Sequence, residues 1–326
     1  MTSKYENCYF GKNPALYGQD LAKSLRIKNP PVDEEVVADF LGYKIVRTNL
    51  KNYPAWLPFM DDIFKQSPSH LFKKENIIVV NSDIPWLRQR LSIFHEYGHD
   101  IYPLHTGLNF SCHSVDLDVN KLIERQAFQA GIEVPTPRQL IIPNIYDLPI
   151  ELNSIKRLAT TYDLSREAMA IRFADIHYGK CAVIVTEPSS VKQNFSLIHK
   201  HDRKNHDDCY QIKLDLKARN TKTLQPEDES PLRIKYINSS PRFQEHLKII
   251  KTYIKAGIGI NEDNIIYKAF ETQKRIEGEI PASVFGSSKK FTYLAECEPL
   301  GDDGSMLVLL KLEDPQLMFS FRKEIF

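Results

Sequence analysis

Cysteine is scarce and unpaired in this sequence. The five cysteines among 326 residues, Cys8, Cys112, Cys181, Cys209 and Cys297, are odd in number and form no C-x-x-C pair. That argues against a disulfide framework and a structural zinc knuckle, and for a reducing cytoplasm. Long apolar runs are lacking too: none approaches the roughly 18 residues that span a bilayer. The opening MTSKYENCYFGKNPALYG has no basic segment followed by an apolar one, so neither secretion nor membrane insertion is expected. Excess charge of one sign is absent, with 43 basic against 42 acidic residues and a formal charge of +1. No global field draws the chain to a polyanion, and any such binding has to be local. There is no internal repeat or low-complexity tract, although residues 221–231 are polar enough for a loop. What remains, 42% hydrophobic and 26% charged, is the composition of a soluble globular protein long enough for two or three domains.

Turn and cap signals divide the chain. PPVDEEVVADFLGYKIV predicts a helix started near Asp33 and closed by Gly42, then a short strand. ENIIVVNSDIPWLRQRLSIFHEYGHD predicts a strand over 77–80 that leads into a helix capped by Asp83, with Pro85 in its first turn. DVNKLIERQAFQAG predicts a further helix with Leu122, Ile123, Ala127, Phe128 and Ala130 as its apolar stripe, ended by Gly131 and the VPTP that follows. NSIKRLATTYDLSREAMAIRFADI predicts two helices meeting at residues 162–165, the second capped by Ser165. From about Lys180 the pattern turns to strands: CAVIVTE, YQIKLDLKA, LRIKYIN, NIIYKAFE, KKFTYLAE and SMLVLLKLE, interrupted by a helical PRFQEHLKIIKTYIKAG. That shift sets a domain boundary near residues 176–181.

LSIFHEYGHDIYPLHTG carries H-E-x-x-H. Residues four apart lie one turn above each other on a helix, so His95 and His99 can reach one cation while Glu96 stands beside it. A hydrolytic metal also needs a third protein ligand and an open position for water. The alternative is a core-facing stripe of Leu87, Leu91, His95 and His99 whose imidazoles hydrogen-bond internally. Glu124, 25 residues past His99, falls on the apolar face of its own helix, where an ionised carboxylate is costly unless paired or metal-bound. Spacing alone leaves it open between a ligand and a salt-bridged or solvated helix glutamate.

Together these stretches resemble the ImmA/IrrE family of zinc metallopeptidases, which cleave helix-turn-helix repressors. The resemblance runs through PPVDEEVVADFLGYKIV, NIIVVNSDIPWLRQRLSIFHEYGHD and ERQAFQAGIEVP to the LATTYDLSREAMAIRF helices. It implies that His95 and His99 are metal ligands and Glu96 the general base. The family's later glutamate, with phenylalanine four and proline eleven residues on, matches Glu124, Phe128 and Pro135, which implies that Glu124 is the third ligand. The ion implied is Zn2+, with Mn2+ as the other option. Two departures stand out: RQAFQAG replaces the family's usual small polar residue, and His105 lies further past the metal helix than the family's common histidine. His105 and His113 are carried as candidates for substrate or oxyanion contact.

NFSCHSVD places Cys112 and His113 between the two metal helices. A Cys112 thiolate there could fill zinc's fourth position and hold the enzyme off; the bland reading is an inert loop cysteine. In YQIKLDLKAR, Lys213, Lys217 and Arg219 share one strand face, a candidate surface for a nucleic-acid or nucleotide signal that is equally read as solvated. The helix pair puts few basic residues on one face, which favours protein contacts over DNA reading.

The fold expected is α+β: a zincin-like metallopeptidase domain over 1–150, helix-turn-helix-like helices over 151–178, and a strand-rich, GAF-like sensor domain over 179–326. The function expected is a cytoplasmic zinc endopeptidase that cleaves a helix-turn-helix repressor and releases a stress, prophage or antiviral locus, gated by its C-terminal domain. The alternative is a non-proteolytic regulator, stabilised by metal, that binds DNA or a protein partner. Glu96 discriminates between them, because a structural metal needs no base beside its ligands.

Overall fold

The computed structural model describes residues 13–49, 68–105, 117–189, 230–250, 252–287, 289–301 and 303–312. The chain divides into two compact units, Met1–Asn144 with Ala159–Ser165, and Ile145–Leu158 with Arg166–Phe326. Among the described residues no helix is long and apolar enough to cross a membrane.

In the first unit, α1 (Pro14–Ser24) and α2 (Glu34–Leu41) precede a small sheet of β1 (Lys44–Thr48), β2 (Ser69–Phe72) and β3 (Ile77–Asn81), in the order β1-β3-β2. Helix α2 begins where Asp33 accepts a hydrogen bond from the Glu35 N–H at 2.9 Å. It ends at Gly42, whose φ of +82° is the left-handed conformation that glycine adopts without steric cost. Strand β3 is central, parallel to β1 and antiparallel to β2; Ile78, Val79 and Val80 are all buried. It delivers the chain into α3 (Trp86–Ile101). Asp83 does not cap α3: Pro85 occupies the cap position without a side-chain bond, and the Asp83 N–H is bonded to the Asn81 side chain at 3.1 Å. The buried Arg90 of α3 pairs with Glu34 at the head of α2, and the Tyr97 hydroxyl donates to the Glu34 carbonyl at 2.8 Å.

Helix α4 (Leu117–Gly131) crosses α3 at unusually close range. A Cβ on Gly98 would lie 1.9 Å from the Ala127 carbonyl oxygen, and one on Gly131 2.2 Å from that of Phe94. Any larger residue at either glycine forces the backbones apart. Helices α5 (Arg138–Tyr146), which contains Pro143, α6 (Leu152–Tyr162) and α7 (Arg166–Ile176) follow. The last two meet at residues 163–165, as the sequence predicts.

The second unit holds a six-stranded antiparallel sheet, in the order β6-β5-β4-β9-β8-β7. Its strands are β4 (Cys181–Pro188), β5 (Leu232–Ser239), β6 (Gly259–Ile260), β7 (Ile276–Pro281), β8 (Thr292–Pro299) and β9 (Met306–Lys311). Ala182, Ile184, Tyr293, Cys297 and Val308 pack into one core with Phe243 of α8 (Pro241–Ile249) and Ile266 of α9 (Ile265–Thr272). Helix α9 corrects the sequence reading, in which NIIYKAFE is a strand. The Asn264 side chain caps the Ile266 and Tyr267 N–H groups, and Ile266 and Ala269, three apart, are its buried positions. The cap and the helical spacing outweigh the β-branched pair Ile265–Ile266. Strand β7 was not read from the sequence, and the expected strand YQIKLDLKA lies outside the described residues.

Along β8 the side chains alternate. Cys297 enters the core, while Glu296 and Glu298 are buried on the other face. The Leu152 N–H, Arg275 and Lys311 meet the Glu296 carboxylate at 2.7, 2.8 and 3.1 Å. Arg166 hydrogen-bonds Glu298 at 3.1 Å, and Lys156 forms an ion pair with it at 2.6 Å without a directed hydrogen bond. These contacts fasten the start of α6 and of α7 to the sheet.

Candidate metal centre

On α3 the imidazoles of His95 and His99 stack one turn apart, with ring centroids 4.7 Å apart and planes at 88°. Their Nε2 atoms are 3.0 Å apart. Glu124 on α4 spans both, with Oε2 2.8 Å from His95 Nε2 and Oε1 3.4 Å from His99 Nε2. The Gly98–Gly131 crossing makes this reach attainable, since it brings the backbones of α3 and α4 into contact one turn from the site. His99 is buried, and His95 and Glu124 are partly open.

One donor atom from each of these three residues lies within 4.8 Å of the others, so the group could hold a metal ion. Ligands about 2.1 Å from a shared ion at tetrahedral angles stand about 3.4 Å from one another, and the three separations fall at or slightly inside that spacing. Two neutral imidazoles and one carboxylate fit a divalent cation of zinc or manganese type.

The electrostatics follow from this convergence. Burial alone would push the Glu124 carboxyl up, but hydrogen bonds to the two histidines and their charge hold it well below the usual carboxylate range. Burial pulls His95 down, yet the hydrogen bond to Glu124 and the charges of Glu96 and Glu124 leave it raised above 6.5.

Glu96 is buried beside the cluster, and its Oε1 accepts a hydrogen bond from Ser69 Oγ at 2.7 Å. Ser69 opens β2, the edge strand next to α3. Sequence reasoning missed it, for β2 is short and carries no turn or alternation signal that marks it. Lys73 binds the other end of the motif, donating to the His99 carbonyl at 3.1 Å and pairing with Asp100 at 3.5 Å.

His105 sits on a single turn of 3-10 helix, Pro103–His105, and is fully buried behind His99. Its Nδ1 is 3.3 Å from His99 Nδ1 and its Nε2 3.3 Å from Gln126 Oε1. Burial, then the neighbouring His99 and Lys73, lower it to about 4, against the hydrogen bond to the Gln126 oxygen, which raises it. Cys112, His113, Lys213, Lys217 and Arg219 lie outside the described residues.

A mixed helix and sheet chain with a His-His-Glu cluster between two helices is the class these observations define. Residues 42–174 match the Peptidase_M78 family, described as the IrrE N-terminal-like domain, and all three clustered residues fall within that stretch. Over this segment the chain is similar to the ImmA/IrrE family, in agreement with the sequence reading. A solved structure of a Mycobacterium tuberculosis transcriptional regulator shares the fold with a TM-score of 0.52 at 9% identity, covering 91% of this chain and 75% of that one. At that identity the likeness is one of fold alone. A search of curated proteins returns no match.

Proposed function

We propose that this chain is a zinc-dependent endopeptidase of regulatory type, whose substrate is a helix-turn-helix transcriptional repressor of a stress, prophage or antiviral locus. The observation that carries the reading is the convergence of His95, His99 and Glu124 with a buried carboxylate, Glu96, directly beside them. A structural metal site has no use for that fourth group.

In this reading His95, His99 and Glu124 would hold the ion, and the chemistry it would supply there is Lewis acidity, which lowers the pKa of a water to about 7. Glu96 would take a proton from the attacking water and pass it to the leaving amine. Ser69 fixes one of its oxygens, Oε1, by hydrogen bond, and the second oxygen carries the proton. Helix α4 would supply the one acidic ligand of the three, and α3 the two histidines.

The zincin-like character of the first domain, the helix-turn-helix-like role of residues 151–178 and a GAF-like sensor in residues 179–326 belong to the same proposal. The contacts of α6 and α7 with Glu296 and Glu298 support a helix pair that serves the sheet more than it serves DNA.

The test is co-expression with the repressor encoded beside the gene, comparing wild type with Glu96→Gln for cleavage fragments and metal content. Cleavage falls by about 10²–10⁴-fold in the variant, with equal metal in both. Intact repressor in both, with metal in both, favours the metal-stabilised regulator instead.

A further inference from the structure

Directly behind His99 lies a chain of polar contacts that the metallopeptidase reading does not use. His105 leaves α3 by a tight turn in which its N–H bonds the Tyr102 carbonyl at 2.9 Å. Its ring stands edge-on to the Tyr102 ring at 4.9 Å. That seat is fully buried, so the ring's place is set by packing. From there Nδ1 meets His99 Nδ1 at 3.3 Å and Nε2 meets Gln126 Oε1 at 3.3 Å.

We propose that His105 and Gln126 are positioning residues that fix His99 in the tautomer able to bind a cation; the proposal rests on the metal-site reading above, and neither residue touches the ion. The argument follows the protons. An amide oxygen only accepts, so the His105 Nε2 facing Gln126 Oε1 carries the hydrogen. A neutral imidazole has one ring proton, so His105 Nδ1 is a bare acceptor. It then takes a hydrogen bond from His99 Nδ1, and His99 Nε2 is left with its lone pair aimed at His95 and Glu124. The opposite amide orientation reverses every step and puts a proton on the nitrogen that the cation needs. A bound ion and the amide oxygen at His105 therefore select each other.

Metal-bound histidines usually donate their second N–H to a carboxylate, a backbone carbonyl or water. Here the acceptor is an imidazole backed by an amide, so the ligand set gains orientation without gaining negative charge. Gln126 lies two residues past Glu124 on α4, so the helix that supplies the third ligand also supplies the end of this chain.

The experiment measures Zn2+ affinity of the full chain by competition with a chromophoric chelator. Three variants are compared: His105→Phe, which removes the acceptor ring nitrogen; Gln126→Met, which keeps shape but removes the amide; and Gln126→Glu, which keeps an acceptor. His105→Phe and Gln126→Met weaken Zn2+ binding by about 10–100-fold, and Gln126→Glu binds at least as tightly as wild type. The ring ¹⁵N shifts of His99 report Nδ1–H in wild type and Gln126→Glu, and lose that signature in Gln126→Met. Tight Zn2+ binding by wild type and by Gln126→Met alike overturns the proposal and leaves the metal site standing. A wild type that binds no Zn2+ overturns the metal-site reading and this one with it. Should His105→Phe fail to fold, Gln126→Met, at a half-buried position, decides alone.

Discussion

Two sets of carboxylates, one in each unit, are neutralised differently. In the second unit Glu296 and Glu298 are answered by Arg275, Lys311, Lys156 and Arg166, four cations fixed in the sequence itself. In the first unit Glu124 faces two imidazoles, groups that are cationic only when protonated and otherwise offer lone pairs. The first arrangement is complete on its own and ties helices to a sheet. The second is a set of donors with room for a cation from solution. An acid met by guanidinium and ammonium groups therefore reads as architecture, and one met by histidines as a candidate site.

The largest effect that sharpens this contrast is metal removal. Chelation strips a ligand that binds only the folded state, which at free ion about a thousandfold above Kd stabilises by about 4 kcal/mol. Hydrogen exchange should accelerate in α3 and α4 while β8 and β9 keep their protection; equal loss in both units breaks the comparison. Next come the carboxylates themselves. Glu296→Gln costs about 1–3 kcal/mol in urea unfolding, less than breaking a fully buried pair because its partners are partly exposed, and leaves metal content unchanged. Glu124→Gln does the reverse, losing the metal with little change in the stability of the metal-free protein.

The smallest effect concerns His177, which the second unit keeps buried by keeping it neutral. Its Nδ1 accepts the Gly179 N–H at 2.8 Å, and its Nε2 has no hydrogen-bond partner among the described residues. Burial lowers its pKa from the usual 6.5 to about 4. The unfolded chain therefore binds a proton that the folded one refuses between pH 6.5 and 4, and stability falls as pH drops through that window. His177→Phe should flatten this acid limb; an unchanged limb would assign it to other groups.

Legibility followed locality. The Asp33 and Gly42 ends of α2, the run from β3 into α3, and the end of α4 at Gly131 are written within a few residues each, and the sequence reads them correctly. Asp83 failed as a cap because the helix starts at Trp86, with Pro85 at the cap position. NIIYKAFE failed as a strand because its Asn264 cap counted for more than its branched residues. The 95/99 spacing was legible because four residues make one helical turn wherever the helix sits. Ser69 and the His105–Gln126 contact were not, since each depends on where a second element lands.

The sequence by itself determined the helix that carries the two histidines, the glutamate beside them and the change to strands past residue 180, for these are periodicities and caps set by nearest neighbours along the chain. Only the tertiary structure decided that Glu124 meets both imidazoles, that His105 stands behind His99, and that Glu296 bonds the Leu152 N–H from 144 positions away. Those contacts exist because two glycines let α3 and α4 touch and because a sheet turned one face of β8 toward α6 and α7. Distance along the chain carries no trace of either event.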